Sequence, residues 1–68
     1  MEQQQTLGDR IRFARLIKRW TQERLAKEVG CTRQSVQGWE AGNHKPSPVI
    51  ANKLAAVLGC SEEELKGE

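Results

Sequence analysis

The sequence is poor in the residues that build metal centres. Its 68 residues contain two cysteines and one histidine, which are Cys31, Cys60 and His44. A structural zinc site usually needs four such ligands, and the two cysteines are not at a metal-ligand spacing. We therefore predict no metal site. Each cysteine directly precedes an expected helix N-cap, so we interpret both as reduced, buried and inert.

Long apolar runs and leader-like segments are also missing. No stretch approaches the roughly 20 apolar residues that a membrane-spanning helix requires. Apart from Met1, residues 1–6 are polar, which is not the pattern of a signal peptide. We expect this N-terminal segment to be disordered and the protein to be soluble, with one domain over residues 7–66 and no membrane contact.

The signatures of catalysis are absent as well. The sequence has no recognisable nucleophile and base pair, no phosphate-binding glycine loop and no metal-ligand cluster. Nothing near His44 in the sequence would complete a catalytic triad. We predict no enzyme, no catalytic residues, no cofactor and no small-molecule ligand.

The charge of the chain is divided unevenly along its length. Residues 1–60 hold ten Lys/Arg against five Asp/Glu, whereas residues 61–68 hold one against four. An excess of positive charge over residues 1–60 is the electrostatic pattern of a polyanion-binding protein, although an ordinary solvated surface explains this excess about equally well. Charge therefore supports nucleic-acid binding without deciding it.

Apolar periodicity and capping residues predict an all-α, compact five-helix bundle. Leu7, Ile11 and Ala14 form the inner face of the first helix, and Ser61 opens the fifth with Glu64 in a capping box and Leu65 as its anchor. The expected helices are Leu7 to Arg19, Gln22 to Val29, Arg33 to Ala41, Pro48 to Leu58 and a short segment from Ser61.

The segment from Gln22 to Ala41 has the pattern of a helix-turn-helix. Gly30 supplies the turn, and the facing sides of the two helices carry Leu25, Ala26, Val29, Val36 and Trp39. The outer face of the second of these helices comprises Arg33, Gln34, Gln37, Gly38 and Ala41. Arginine and glutamine can form paired hydrogen bonds with guanine and adenine in the major groove, so this face suits base reading.

Several separated motifs resemble the lambda-repressor and Cro-like helix-turn-helix family, also called XRE-type regulators. The resemblance extends from Leu7 to Leu65. The matching segments are Ile11–Arg15, Thr21–Ala26, Val29–Gly30, Ser35–Val36, Trp39–Glu40, Gly42, Pro46 and Leu54–Glu64.

The resemblance implies a transcriptional regulator, most simply a repressor, that binds double-stranded DNA at a palindromic operator. It implies a homodimer, whether formed in solution or only on DNA, and a cytoplasmic protein of bacterial, archaeal or phage origin. Base-reading positions correspond to Arg33, Gln34, Gln37 and Gly38, and backbone-contacting positions correspond to Gln22, Thr32, Ser35, Asn43, His44 and Lys45. His44 can equally be a solvated loop residue.

The resemblance also implies a structural pair between Arg15 and Glu40, whose alternative is two unrelated surface charges. Two residues depart from the family pattern. Arg19 stands where many relatives have glycine, and Gly38 lacks the side chain with which relatives often read a base. A missing side chain there instead allows close approach to a thymine methyl group. The chain ends at Glu68, which leaves open a minimal regulator or a fragment.

An alternative function is a protein-interaction module, such as an antitoxin that binds a toxin, with DNA binding secondary. Its signature would be an exposed apolar stripe. Phe13, Leu16 and Ile17 do not all fit the inner face of the first helix and would supply one, unless some of them pack against the fifth helix.

Overall fold

The computed structural model describes residues 6–59 of the chain. This part folds into four helices, α1 (Leu7–Ile17), α2 (Gln22–Val29), α3 (Arg33–Ala41) and α4 (Pro48–Leu58). The all-α prediction is confirmed, and α2, α3 and α4 have the predicted bounds. The predicted fifth helix from Ser61 and the first five residues lie outside the described residues.

Each helix begins at a hydroxyl side chain that accepts a hydrogen bond from the backbone N–H three residues later. This bond satisfies one of the amide groups that have no partner within the helix. The donor–acceptor distances are 3.1 Å at Thr6, 3.0 Å at Thr21, 3.1 Å at Thr32 and 3.3 Å at Ser47. Asp9 also accepts from the Thr6 N–H at 3.3 Å, which completes a capping box. Thr6, which we assigned to the N-terminal segment, therefore begins α1.

The prediction that the first helix extends to Arg19 is wrong by two residues. Arg19 has a φ angle of 60°, in the left-handed region, and this conformation terminates α1. The Trp20 N–H then donates to the Arg15 carbonyl at 3.2 Å, and the Arg19 N–H donates to the Leu16 carbonyl at 2.9 Å. These two bonds are those of a Schellman motif, which usually has glycine at the left-handed position.

The core is formed where α1 and α3 cross and where α2 packs against α3 and α4. The largest side chains with no more than 1% exposure are Ile11, Leu25, Val29, Val36 and Leu54. Leu7, which was predicted for the inner face of α1, is partly buried against this core, as is Trp20, which directly precedes the N-cap of α2. Along residues 6–59, no helix is long and apolar enough to cross a membrane.

Phe13, Leu16 and Ile17 of α1 remain outside this core. Their exposed fractions are 62%, 51% and 65%, so they form an apolar patch on the surface. The fifth helix, against which we expected some of them to pack, lies outside the described residues.

Candidate nucleic-acid interface

The turn between α2 and α3 sets the relative direction of the two helices. Gly30 ends α2 with a φ angle of 75°, a conformation that glycine adopts without a steric penalty. The Cys31 N–H donates to the Ala26 carbonyl at 2.8 Å, which closes the last turn of α2. Thr32 then caps α3. Only three residues, Gly30, Cys31 and Thr32, connect α2 to α3, and the apolar faces of the two helices pack directly together.

A buried ion pair fastens α1 to the end of α3. Arg15 donates to both carboxylate oxygens of Glu40, from Nε at 2.7 Å and from Nη2 at 3.0 Å. Its third nitrogen, Nη1, donates to the Trp20 carbonyl at 2.8 Å. The two side chains are only 10% and 6% exposed. All three guanidinium nitrogens thus donate within the protein, and the two-point contact with Glu40 orients α3 relative to α1.

Gln22 also donates to Glu40. Its amide nitrogen lies 3.1 Å from Oε1, the oxygen that also accepts from Arg15 Nη2. The first residue of α2 is therefore linked to the last turn of α3. The sequence carries no local signal for this contact, since the two residues are 18 positions apart.

Three of the four residues assigned to base reading point outward from α3. Arg33, Gln34 and Gln37 are exposed, as is Ala41. They share one side of the helix because residues three and four positions apart are neighbours on a helical surface. The first turn of α3 contains no acidic residue, so its positive N-terminal dipole is not neutralised there. This side of α3 is polar and favourable to an anion.

The fourth residue, Gly38, is buried. Its outer surface is covered by the imidazole ring of His44, which comes from the loop after α3. A Cβ atom at Gly38 would lie 2.6 Å from His44 Cδ2 and 2.9 Å from Cε1, and would be closer still to Nε2. The structure thus brings together one residue assigned to base reading and one assigned to the DNA backbone.

The other residues assigned to the DNA backbone flank the exposed side of α3. Thr32 is exposed and Ser35 is half-buried, and their hydroxyl groups lie 3.1 Å apart in the first turn. Asn43 and Lys45 are exposed in the loop between α3 and α4. Polar side chains therefore lie at both ends of the base-reading side, whereas Gln22 is half-buried against Glu40.

Gly8 is a positioning residue that we did not predict. A Cβ atom there would lie 2.7 Å from the Glu40 carbonyl oxygen, and nearer to that of Trp39. Only glycine allows α1 to approach the backbone of α3 this closely. A glycine in the first turn of an expected helix was the available signal, because glycine is a poor helix former.

No metal-binding cluster is found in the part of the chain that the structure describes. The helix-turn-helix family model matches residues 11–65. This chain belongs to the helix-turn-helix family. The family resemblance is confirmed, and the family is one of non-enzymatic transcriptional regulators.

Among curated relatives, an HTH-type transcriptional regulator of Methanothermobacter thermautotrophicus is 46% identical over 39 residues, which cover 57% of this chain. The regulator DicA of Escherichia coli is 39% identical over 56 residues, or 82% of this chain. The aligned parts make up 56% and 42% of those two relatives. This helix-turn-helix chain thus spans about half the length of these two curated relatives.

A solved structure of the P22 c2 repressor, in complex with a synthetic operator, has the same fold. It superimposes with a TM-score of 0.88 at 32% identity and covers 96% of this chain and 100% of the repressor chain. The lambda-repressor-like fold class is therefore confirmed for this helix-turn-helix protein.

Proposed function

We propose that this helix-turn-helix protein binds operator DNA sequence-specifically and acts as a repressor, with α3 in the major groove. The observation that carries the proposal is the exposed polar side of α3, whose direction is set by the buried ion pair between Arg15 and Glu40. A groove-reading helix must be held rigidly, because a misplaced side chain loses its base contacts. The likeness to the P22 c2 repressor, whose structure contains an operator, supports the same role here.

In this proposal Arg33, Gln34 and Gln37 contact base edges. The first two lie at the N-terminal end of α3, which is the part of a recognition helix that reaches bases in helix-turn-helix complexes. Arginine pairs with O6 and N7 of guanine, and glutamine pairs with N6 and N7 of adenine. Gly38 contributes no side chain of its own to this readout.

Contacts to the DNA backbone come from the residues around that face. Thr32 and Ser35 lie in the first turn of α3, where free amide groups and the helix dipole favour a phosphate. Gln22 stands at the start of α2, and its bond to Glu40 holds the amide group in one orientation. Asn43 and Lys45, with His44 between them, extend the contact from the loop. Such contacts set the register of the protein on the duplex.

The proposed assembly is a homodimer on a palindromic operator, formed in solution or on the DNA. Two copies would place their α3 helices in successive major grooves, roughly 34 to 36 Å apart. Operator binding of this kind in a bacterium, archaeon or phage would take place in the cytoplasm.

A protein-interaction function is the competing proposal, supported by the exposed side chains of Phe13, Leu16 and Ile17. In that case DNA binding would be weak and insensitive to changes on α3. The two proposals therefore differ in what substitutions on α3 do to DNA binding.

The experiment is selection of preferred duplexes from a random pool, at fixed salt, with the wild type and three variants. Arg33→Ala and Gln34→Ala should each relax preference at particular base pairs by about 1 to 3 kcal/mol, because each removes a base contact. Lys45→Ala is the matched control in the loop. It should weaken binding to all sequences alike and lower the salt slope by about one. Unchanged binding and preference in all three variants would refute the proposed interface.

A further inference from the structure

The His44 ring lies on the surface of α3, against Gly38. Gly38 follows Gln34 by four residues, so its outer surface lies next to that of Gln34 on the helix. The imidazole covers this surface so closely that a Cβ atom at Gly38 would overlap it, with His44 Cδ2 at 2.6 Å. The ring therefore occupies the space into which a side chain at position 38 would project.

The backbone brings the ring to this place. Gly42 adopts a φ angle of 82°, and its N–H donates to the Trp39 carbonyl at 3.2 Å. The next N–H, that of Asn43, donates to the carbonyl of Gly38 itself at 2.9 Å. These bonds form a Schellman motif that turns the chain back toward α3. His44 follows directly, so its location depends on the end of the helix as well as on its own rotamer.

Nε2 is the ring atom that faces Gly38 most closely, which leaves Nδ1 as the nitrogen that can meet a base. His44 is exposed, and in the part of the chain that the structure describes it makes no hydrogen bond. A neutral imidazole has one donor and one acceptor nitrogen, and the charged form has two donors. Guanine offers O6 and N7 as acceptors in the major groove, and adenine offers N7 beside a donor. Nδ1 of an imidazole next to Gln34 can therefore meet a base edge.

We propose that His44 reads a base pair in place of the side chain that Gly38 lacks. The proposal rests on the proposed function, since it requires that α3 enters the major groove. It assigns to His44 a role in sequence specificity. A loop residue that touched only phosphate would instead raise the affinity for every sequence. The base pair concerned adjoins the one contacted by Gln34.

The test uses the duplexes selected by the wild-type chain and compares His44→Ala, His44→Gln and Gly38→Ala. His44→Ala should reduce discrimination at one base pair in each half-site by roughly five- to tenfold, the loss expected for one base contact. His44→Gln should change which base is preferred there, because glutamine presents a different donor and acceptor pattern. Gly38→Ala should affect the same base pair, since the new methyl group displaces the ring. The double variant Gly38→Ala/His44→Ala should lose no more than His44→Ala alone.

Asn43→Ala is the matched control, because Asn43 is the exposed neighbour of His44 in the same loop. Because Asn43 is proposed to contact only the DNA backbone, Asn43→Ala should weaken binding to all sequences alike and leave base preference unchanged. Thermal unfolding of each variant identifies any that fails to fold. If Gly38→Ala does not fold, the His44→Ala variant alone decides the test. The role of His44 would be overturned if His44→Ala lost affinity equally for all sequences or lost none. The proposed function would still stand in that case, provided that discrimination by Gln34 is intact. If the wild-type chain selected no sequence at all, the proposed function itself would fail.

Discussion

Glu40 holds Arg15 with both carboxylate oxygens, at 2.7 Å and 3.0 Å, and thereby joins α1 to the last turn of α3. The carboxylate also accepts from Gln22 at 3.1 Å, so residues from three helices meet at one acidic side chain. The helix proposed to enter DNA is thus fixed at its C-terminal end by groups that are removed from solvent. Polar groups in such a site are costly to leave without partners.

The first prediction concerns this ion pair. Arg15→Ala should lower the free energy of unfolding by about 3 to 5 kcal/mol, because it leaves the buried carboxylate of Glu40 without its main partner. Arg12→Ala, at an exposed position of the same helix, should change it by less than about 0.5 kcal/mol. Chemical denaturation of both variants makes the comparison. Equal effects would mean that Arg15 and Glu40 contribute no more to stability than two unrelated surface charges.

The second prediction concerns Gly8. Helix propensity alone predicts that Gly8→Ala stabilises the protein by about 1 kcal/mol. The structure predicts the opposite sign, a loss of about 1 to 3 kcal/mol, because the methyl group would overlap backbone carbonyl oxygens of α3 that cannot easily move. The sign of the change in thermal unfolding decides between the two expectations.

The third prediction concerns Arg19. A residue with a Cβ atom in the left-handed region is strained by about 1 to 2 kcal/mol. Arg19→Gly should therefore be more stable than Arg19→Ala by about 1 kcal/mol, although both variants lose the same cationic group. Denaturant titration of this matched pair separates backbone strain from any contribution of the guanidinium group. Equal stabilities would indicate that the end of α1 tolerates the side chain without strain.

The fourth prediction concerns Trp20, whose ring lies close to two cations. Arg24 Cζ is 4.7 Å and Lys18 Nζ is 5.3 Å from the ring centroid. A double-mutant cycle with Trp20→Leu and Arg24→Ala should give a coupling free energy of about 0.5 to 1 kcal/mol, the range of an exposed cation–π contact. The same cycle with Arg12→Ala in place of Arg24→Ala should be additive within error. Additivity in both cycles would exclude a stabilising contact with Arg24.

Helix positions could be predicted well because their signals are local. Thr21, Thr32 and Ser47 precede α2, α3 and α4 directly, and glycine directly follows each of these helices. The error at the end of α1 has the same origin. Arginine by itself is no signal for a left-handed residue, so the first helix was predicted to continue to Arg19 although the backbone had already turned.

The candidate site could be predicted in part. The exposure of Arg33, Gln34 and Gln37 follows from helical periodicity once the inner face is known. The burial of Gly38 does not, because it depends on a ring that reaches back from residue 44.

The sequence by itself determined the helices, the turn between α2 and α3 and the polar side of α3, since capping, glycine and apolar spacing act over a few neighbouring residues. Only the tertiary structure decided which residues meet across those helices. The contact of Gly8 with the α3 backbone and the bond from Gln22 to Glu40 join positions that are distant in the chain. Such contacts depend on how closely and at what angle the helices pack, and no local pattern encodes either quantity.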